Sequence, residues 1–246
     1  ASDRSIFIWD INSSELIKRM KGESSLKEAK FLHENDKIIT TGEDKSIRIW
    51  DISQGREINI IKRQNKPVSH VAFLQNTDQI ISSSKSDDFI VGLGSFSINL
   101  WNTRNLKLSR NLKNHRYKIE DIELSKDKKT LLSLSYRKAT LWDLDSGNIL
   151  NEFSGFKKMM YTCEFSKNET EFAVGTDNGK INFIDIKTGE INRTINAHGS
   201  TIFAMNFSPN YKYLFSGGFD RKLKLWDAQT GSLIKTMSKH ISSLRS

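Results

Sequence analysis

Five histidines (His33, His70, His115, His198 and His240), a lone Cys163 and scattered serines and aspartates are the residues of this chain whose types do chemistry. Serine, histidine and aspartate together make an acyl-transfer set, and histidine with cysteine makes a zinc set. The spacing supports neither. The histidines stand far apart, and one cysteine excludes an internal disulfide and any two-cysteine zinc or redox motif. Gly92 and Gly94 form a GxG without a third glycine or a following helix, so a dinucleotide fingerprint is rejected. P-loop, HExxH, GxSxG and EF-hand patterns are all missing. We therefore expect a non-enzyme with no catalytic residue, no metal ligand, no cofactor and no small-molecule substrate. His70 and Cys163 fall in apolar alternations, where each reads as a satisfied core side chain.

The elements that position these residues must come from 246 residues that are 37% hydrophobic, 27% charged and 10% aromatic. That is enough for one substantial core, and it lies in the range where all-β domains remain single. Mean hydropathy is −0.52, and no apolar run approaches the roughly 18 residues of a membrane helix, so no membrane association is expected. One cysteine and no signal-peptide pattern point to an intracellular, cytoplasmic setting, with nuclear or cytoskeletal placement left open. The net charge of +9 invites a nucleic-acid reading. Its make-up weakens that reading: 26 lysines stand against 12 arginines, scattered with no run of five like charges. Phosphate and base recognition lean on arginine's planar fork. A solvated lysine-rich surface is the expected meaning of the charge.

Periodicity organises the chain. The pairs Trp9-Asp10, Trp50-Asp51, Trp101-Asn102, Trp142-Asp143, Ile184-Asp185 and Trp226-Asp227 recur at intervals of 41, 51, 41, 42 and 42 residues. An alternating segment precedes each pair (SIFIW, SIRIW, SINLW, KATLW, KINFI, KLKLW), and period two with β-branched and aromatic residues predicts a half-buried strand. A turn rich in Ser, Thr, Asn, Gln and Gly follows, then a second short strand. The rest of each unit gives two more strands across a polar turn, as in IEDIELS, KDKK and TLLSLS. Four strands per unit of about 41 residues, without helical periodicity, predict an all-β stack of small antiparallel sheets.

On these residues the chain resembles the WD40 repeat family over essentially its whole length, which implies a β-propeller of four-stranded antiparallel blades. In that family a histidine before the first strand, a Ser or Thr in the second, an Asp in the next turn and the Trp of the third form a buried hydrogen-bonded set. His198, Ser216, Asp220 and Trp226 match all four positions. The unit ending at Trp50 keeps Thr40 and Asp44 but has Gly22 in the histidine slot; the unit ending at Trp142 has His115 and Ser133 but Tyr136 and Arg137 in place of the Asp. At Ile184 the tryptophan is lost and Phe156 replaces the histidine, which reads as apolar packing substituted for a polar set. Recurrence at repeat spacing marks these residues as architecture.

Residues 1–20 supply the third and fourth strands of a partial blade; full blades are expected at about 23–62, 63–113, 114–154, 155–196 and 197–237, and 238–246 begins a further inner strand. The chain is therefore expected to be a segment of a longer protein, about 15 residues short of six blades or about 55 short of seven, with seven the favoured native count.

Propellers of this family bind partners on the face of the loops entering each inner strand. The resemblance implies three exposed positions per blade there. They are Phe203, Thr201 and Phe219 in the last full blade, Tyr161, Met159 and Asp177 in the one before, and Glu120, Lys118 and Tyr136 in the third from the end. Earlier blades give Ser69 and Pro67, then Lys27, Ser25 and Glu43. The aromatic positions cluster on neighbouring blades, as anchors for a partner would. The long interval of 51 locates an insertion at about 86–95, whose Phe89, Ile90, Val91 and Leu93 either cover the neighbouring blade or meet a partner. The expected function is a scaffold for protein–protein interaction. The alternatives are an RNA-associated propeller, or the repeat region of a longer protein whose catalytic part lies elsewhere.

Overall fold

In a computed structural model, the structure describes residues 4–10, 12–32, 36–61, 68–74, 78–84 and 96–238, and among them are strands and turns but no helix. The chain divides into two compact units, Ala1–Ile119 and Glu120–Ser246.

The first unit opens with a hairpin of β1 (Ser5–Trp9) and β2 (Leu16–Lys21). A four-stranded sheet follows, made of β3 (Leu26–Phe31), β4 (Lys37–Gly42), β5 (Ile47–Asp51) and β6 (Arg56–Ile61). A second comprises β7 (Val68–Leu74), β8 (Gln79–Ser84), β9 (Phe96–Asn102) and β10 (Leu108–His115). The second unit contains three such sheets. The first holds β11 (Ile119–Leu124), β12 (Thr130–Ser135), β13 (Lys138–Asp143) and β14 (Ile149–Phe153). Next are β15 (Met160–Phe165), β16 (Glu171–Thr176), β17 (Lys180–Asp185) and β18 (Ile191–Asn196). The last is β19 (Ile202–Phe207), β20 (Tyr213–Gly218), β21 (Leu223–Asp227) and β22 (Leu233–Met237). Each sheet is an antiparallel meander whose spatial order is its sequence order, the form of a β-propeller blade.

The core lies between consecutive sheets, because a strand with period two has two faces to cover. On β16, Phe172 and Val174 pack with Leu132, Leu134 and Leu141 of the preceding sheet, while the intervening Ala173 packs with Ile202, Leu214 and Trp226 of the following one. Three repeat tryptophans cover the sheet before their own. Trp226 packs on the β15–β18 sheet, Trp101 on the β3–β6 sheet and Trp50 on the β1–β2 hairpin. Trp50, Trp101, Trp142 and Trp226 are buried, whereas Trp9, with no described sheet before it, is 56% exposed.

Two irregularities recur with the repeat. Third-strand pairing to the fourth slips just before the tryptophan position, between Ile49 and Trp50, Leu141 and Trp142, Phe183 and Ile184, and Leu225 and Trp226. The aspartate after it then caps the turn: Asp143 Oδ1 accepts the N–H of Ser146 at 2.6 Å, and Asp227 Oδ1 that of Thr230 at 2.8 Å. Such backbone donors hold the Asp185 and Asp227 carboxyls below their ordinary range. The second slip lies at the start of the inner strand, where Lys27, Ser69, Tyr161 and Phe203 are passed over between paired neighbours.

Candidate functional site

The last blade forms the complete buried set. Trp226 Nε1–H donates to Ser216 Oγ at 2.8 Å, and Ser216 Oγ lies 2.8 Å from His198 Nε2. His198 Nδ1 stands 2.9 Å and 3.0 Å from the two Asp220 oxygens. Since Ser216 Oγ accepts the hydrogen bond of the indole N–H, its own hydrogen turns to Nε2, and the imidazole is neutral with its proton on Nδ1. Burial lowers the His198 pKa despite the aspartate beside it. Burial is also the largest single influence on Asp220 and opposes its charge, but His198 and the backbone N–H groups of Lys222 and Gly199 together outweigh it and keep the carboxyl low. Ser216 is buried, so its hydroxyl answers the indole and the imidazole inside the core and does not face a substrate.

Other blades keep the indole bond and vary the rest. Trp50 donates to Thr40 Oγ1 at 2.8 Å, Trp101 to Ser82 Oγ at 2.9 Å and Trp142 to Ser133 Oγ at 2.8 Å. With Gly22 in the histidine slot, Asp44 binds a buried arginine instead. Arg48 Nη2 lies 2.6 Å from Asp44 Oδ2, and its Nε stands 2.9 Å from Glu57 Oε2 without the alignment of a hydrogen bond. Burial would raise Asp44, yet hydrogen bonds from Arg48 and Ser46 hold it far below the usual carboxylate range. Where Ile184 replaces tryptophan, Phe156 packs against the cluster of Ile184, Phe153 and Phe172. His70 Nδ1 is 3.1 Å from Ser83 Oγ, and Cys163 is buried with its thiol pKa pushed up by burial. No grouping of three His, Cys, Asp or Glu side chains able to hold a metal occurs among the described residues.

In the second unit, the loops at the inner-strand entrances are hydrogen-bonded into one continuous face. Tyr136 O accepts the N–H of Met160 at 3.3 Å, and Met159 O that of Asp177 at 3.0 Å. Gly179 O accepts from both Ala197 and His198 at 2.9 Å, and Thr201 O accepts from Phe219 at 2.8 Å. On this face the Tyr161 and Phe203 rings meet edge to face with centroids 5.4 Å apart, and Phe203 meets Phe219 at 6.3 Å. Phe219 is 56% exposed, the outer end of the row. Met159 and Thr201 support it: Tyr161 donates its hydroxyl hydrogen to Met159 Sδ at 3.9 Å, and Thr201 donates to Asp177 O at 3.2 Å. The Tyr136 ring carries the Arg137 guanidinium 5.1 Å from its centroid. Glu120, expected to be exposed, is buried. Phe89 and Pro67 lie outside the described residues, as does the whole insertion at 86–95.

The same geometry recurs with other chemistry in the first unit. Lys27 and Glu43, the counterparts of Phe203 and Phe219, form an ion pair at 2.7 Å. In these two blades the positions set by a bulge and a turn face each other with different side chains. The profile of a known family, described as WD domain, G-beta repeat, matches residues 14–51 and 189–227. The chain thus carries a recognisable WD40 repeat in each of its two units.

Among WD40 relatives, the chain is 27% identical over 158 residues to a serine-threonine kinase receptor-associated protein of Dictyostelium discoideum, covering 63% of this chain and 50% of that one. It is 24% identical over 185 residues to autophagy-related protein 16 of Arabidopsis thaliana, covering 72% and 33%. A match to human WD repeat-containing protein 36 is 30% identical over 87 residues, covering 32% and 10%. The chain thus spans half or less of the length of these curated relatives. The WD40 pattern predicted which positions would face the loops. It gave no sign of the bulges that turn Tyr161 and Phe203 outward, nor of Arg48 as a substitute for the histidine, since neither follows from residue type.

Proposed function

We propose that this chain is a non-enzymatic scaffold that holds a protein partner on the loop face of its second unit, through Tyr161, Phe203 and Phe219. The observation that carries the reading is the row of three rings in edge contact, ending at a half-exposed phenylalanine on a rigid, hydrogen-bonded rim. Aromatic anchors preordered in this way lose little conformational freedom on binding, and each such contact is worth about 2 kcal/mol or more when it becomes a hot spot. The WD40 repeats support the scaffold role. The buried single cysteine supports a reducing compartment, and we place the protein in the cytoplasm.

Replacing Phe203 and Phe219 together with Asp tests the reading. Both side chains are at least partly exposed, so the melting temperature should hold while a partner captured by the parent protein is lost. A double variant that captures every partner of the parent refutes it.

A further inference from the structure

The loops that carry the aromatic row also carry five cations. Lys157 and Lys158 directly precede Met159, Arg137 follows Tyr136, and Arg221 and Lys222 follow Asp220. All five are exposed, and none has an ion-pair partner among the described residues; Arg137 only caps the Tyr136 ring. The carboxylates of the same loops are committed inward. Asp220 holds His198, and Asp177 Oδ2 accepts the N–H of Met159 at 3.4 Å while its Oδ1 is buried. The outward face is therefore positive around an apolar centre. Some surface cations elsewhere are paired, as in Lys27–Glu43 and Arg104–Asp78.

We infer that this face takes an acidic, extended peptide segment of a partner protein, with one aromatic or large aliphatic side chain seated against Phe203 and Phe219 and flanking Asp or Glu side chains met by Lys157, Lys158 and Arg221. Charge complementarity selects the occupant: an anionic segment gains steering and register from the unpaired cations, and a basic one is repelled. Nucleic acid is also anionic, but it would need open ring faces on which to stack bases. Here Tyr161 and Phe203 meet at 77° and Phe203 and Phe219 at 68°, so the rings do not line up as open parallel platforms for successive bases. The inference rests on the loop-face scaffold reading and specifies the partner's chemistry.

The test is selection of a phage-displayed random dodecapeptide library on the 246-residue chain, on Lys157→Glu/Lys158→Glu and on Phe219→Asp, with melting curves confirming that the variants fold. Enriched peptides should carry net negative charge around a single aromatic or leucine. Affinity of a synthetic copy, read by fluorescence anisotropy, should fall about tenfold or more in each variant and several-fold between 50 and 300 mM salt. Neutral or basic consensus peptides, no enrichment over the variants, or a 20-nucleotide poly(U) that binds more tightly than the peptide and is lost in the same variants would each overturn it. If those results come with loss of the captured partner in the Phe203/Phe219 double variant, the scaffold reading stands and only the acidic-peptide assignment fails. Retention of the partner sinks both.

Discussion

The indole nitrogens of Trp50, Trp101, Trp142 and Trp226 are buried donors that must be answered, and a second-strand hydroxyl answers each, nine or ten residues earlier in three blades and 19 residues earlier in the blade with the long interval. What answers the hydroxyl differs. In the last blade it is a neutral histidine locked by Asp220, and this gives stability a pH dependence with a definite sign. The folded-state pKa of His198 lies below its ordinary 6.5, so the unfolded chain takes up the proton first as pH falls. The set's contribution is complete above about pH 6.5 and is lost below it; the lowered Asp220 adds a further loss below its ordinary 3.8. We expect a lower melting temperature at pH 5.5 than at 7.5, and a smaller gap in His198→Gln. An unchanged gap would assign the acid sensitivity to other groups. Trp226→Ala should cost about 3–5 kcal/mol in a denaturant titration, the usual cost of emptying a large aromatic core site. A near-neutral result would remove Trp226 from the core.

Strands and turns convert these residues into a surface. A bulge at the inner-strand start inserts an extra residue into the pairing, and that residue is the one re-aimed to the rim: Tyr161, Phe203 and Lys27 in three blades. Consecutive blades are joined by inner-strand carboxylates as well as by apolar contacts. Glu28 Oε2 accepts the N–H of Val71 at 2.6 Å, and Asp121 Oδ2 that of Cys163 at 2.9 Å. The second-to-third strand turn of one blade also pins the entrance to the next. Gly179, at φ +76°, leaves room for that contact, since a Cβ there would lie 1.9 Å from His198 O. Gly179→Ala should lower stability by about 1–3 kcal/mol from the left-handed backbone alone, while Gly199→Ala, where a Cβ would meet nothing within 4 Å, serves as the control. Equal melting temperatures for the two variants would contradict the pinning role.

At the scale of the whole chain, the +9 charge and the aromatic face make opposing claims about partners. A lysine-rich surface spread along the sequence gives general, salt-sensitive attraction to any polyanion. The three-ring row is local and specific. Capture of the full-length protein from its own cells, with and without RNase, separates the two: a protein set that survives RNase follows from the loop-face reading, and its disappearance would move an RNA-associated role to first place.

Much of the architecture was legible in the residues themselves, because a four-strand repeat imposes a period on everything that packs. The tryptophan spacing, the alternation before each pair and the turn residues after it define strands and blades, and the positions of His198, Ser216, Asp220 and Trp226 within one unit define the buried set. Loss of both ends of that set at Phe156 and Ile184 is equally readable as apolar replacement. The rim was legible only as positions. That Phe203 meets both Tyr161 and Phe219, that Glu120 turns inward and that Arg48 takes over the role of a missing histidine were decided by tertiary structure. The physical reason is that a core position has its polarity set by burial and so leaves a mark on sequence, whereas the aim of a rim side chain is set by bulges and by hydrogen bonds from the neighbouring blade, which no local pattern encodes.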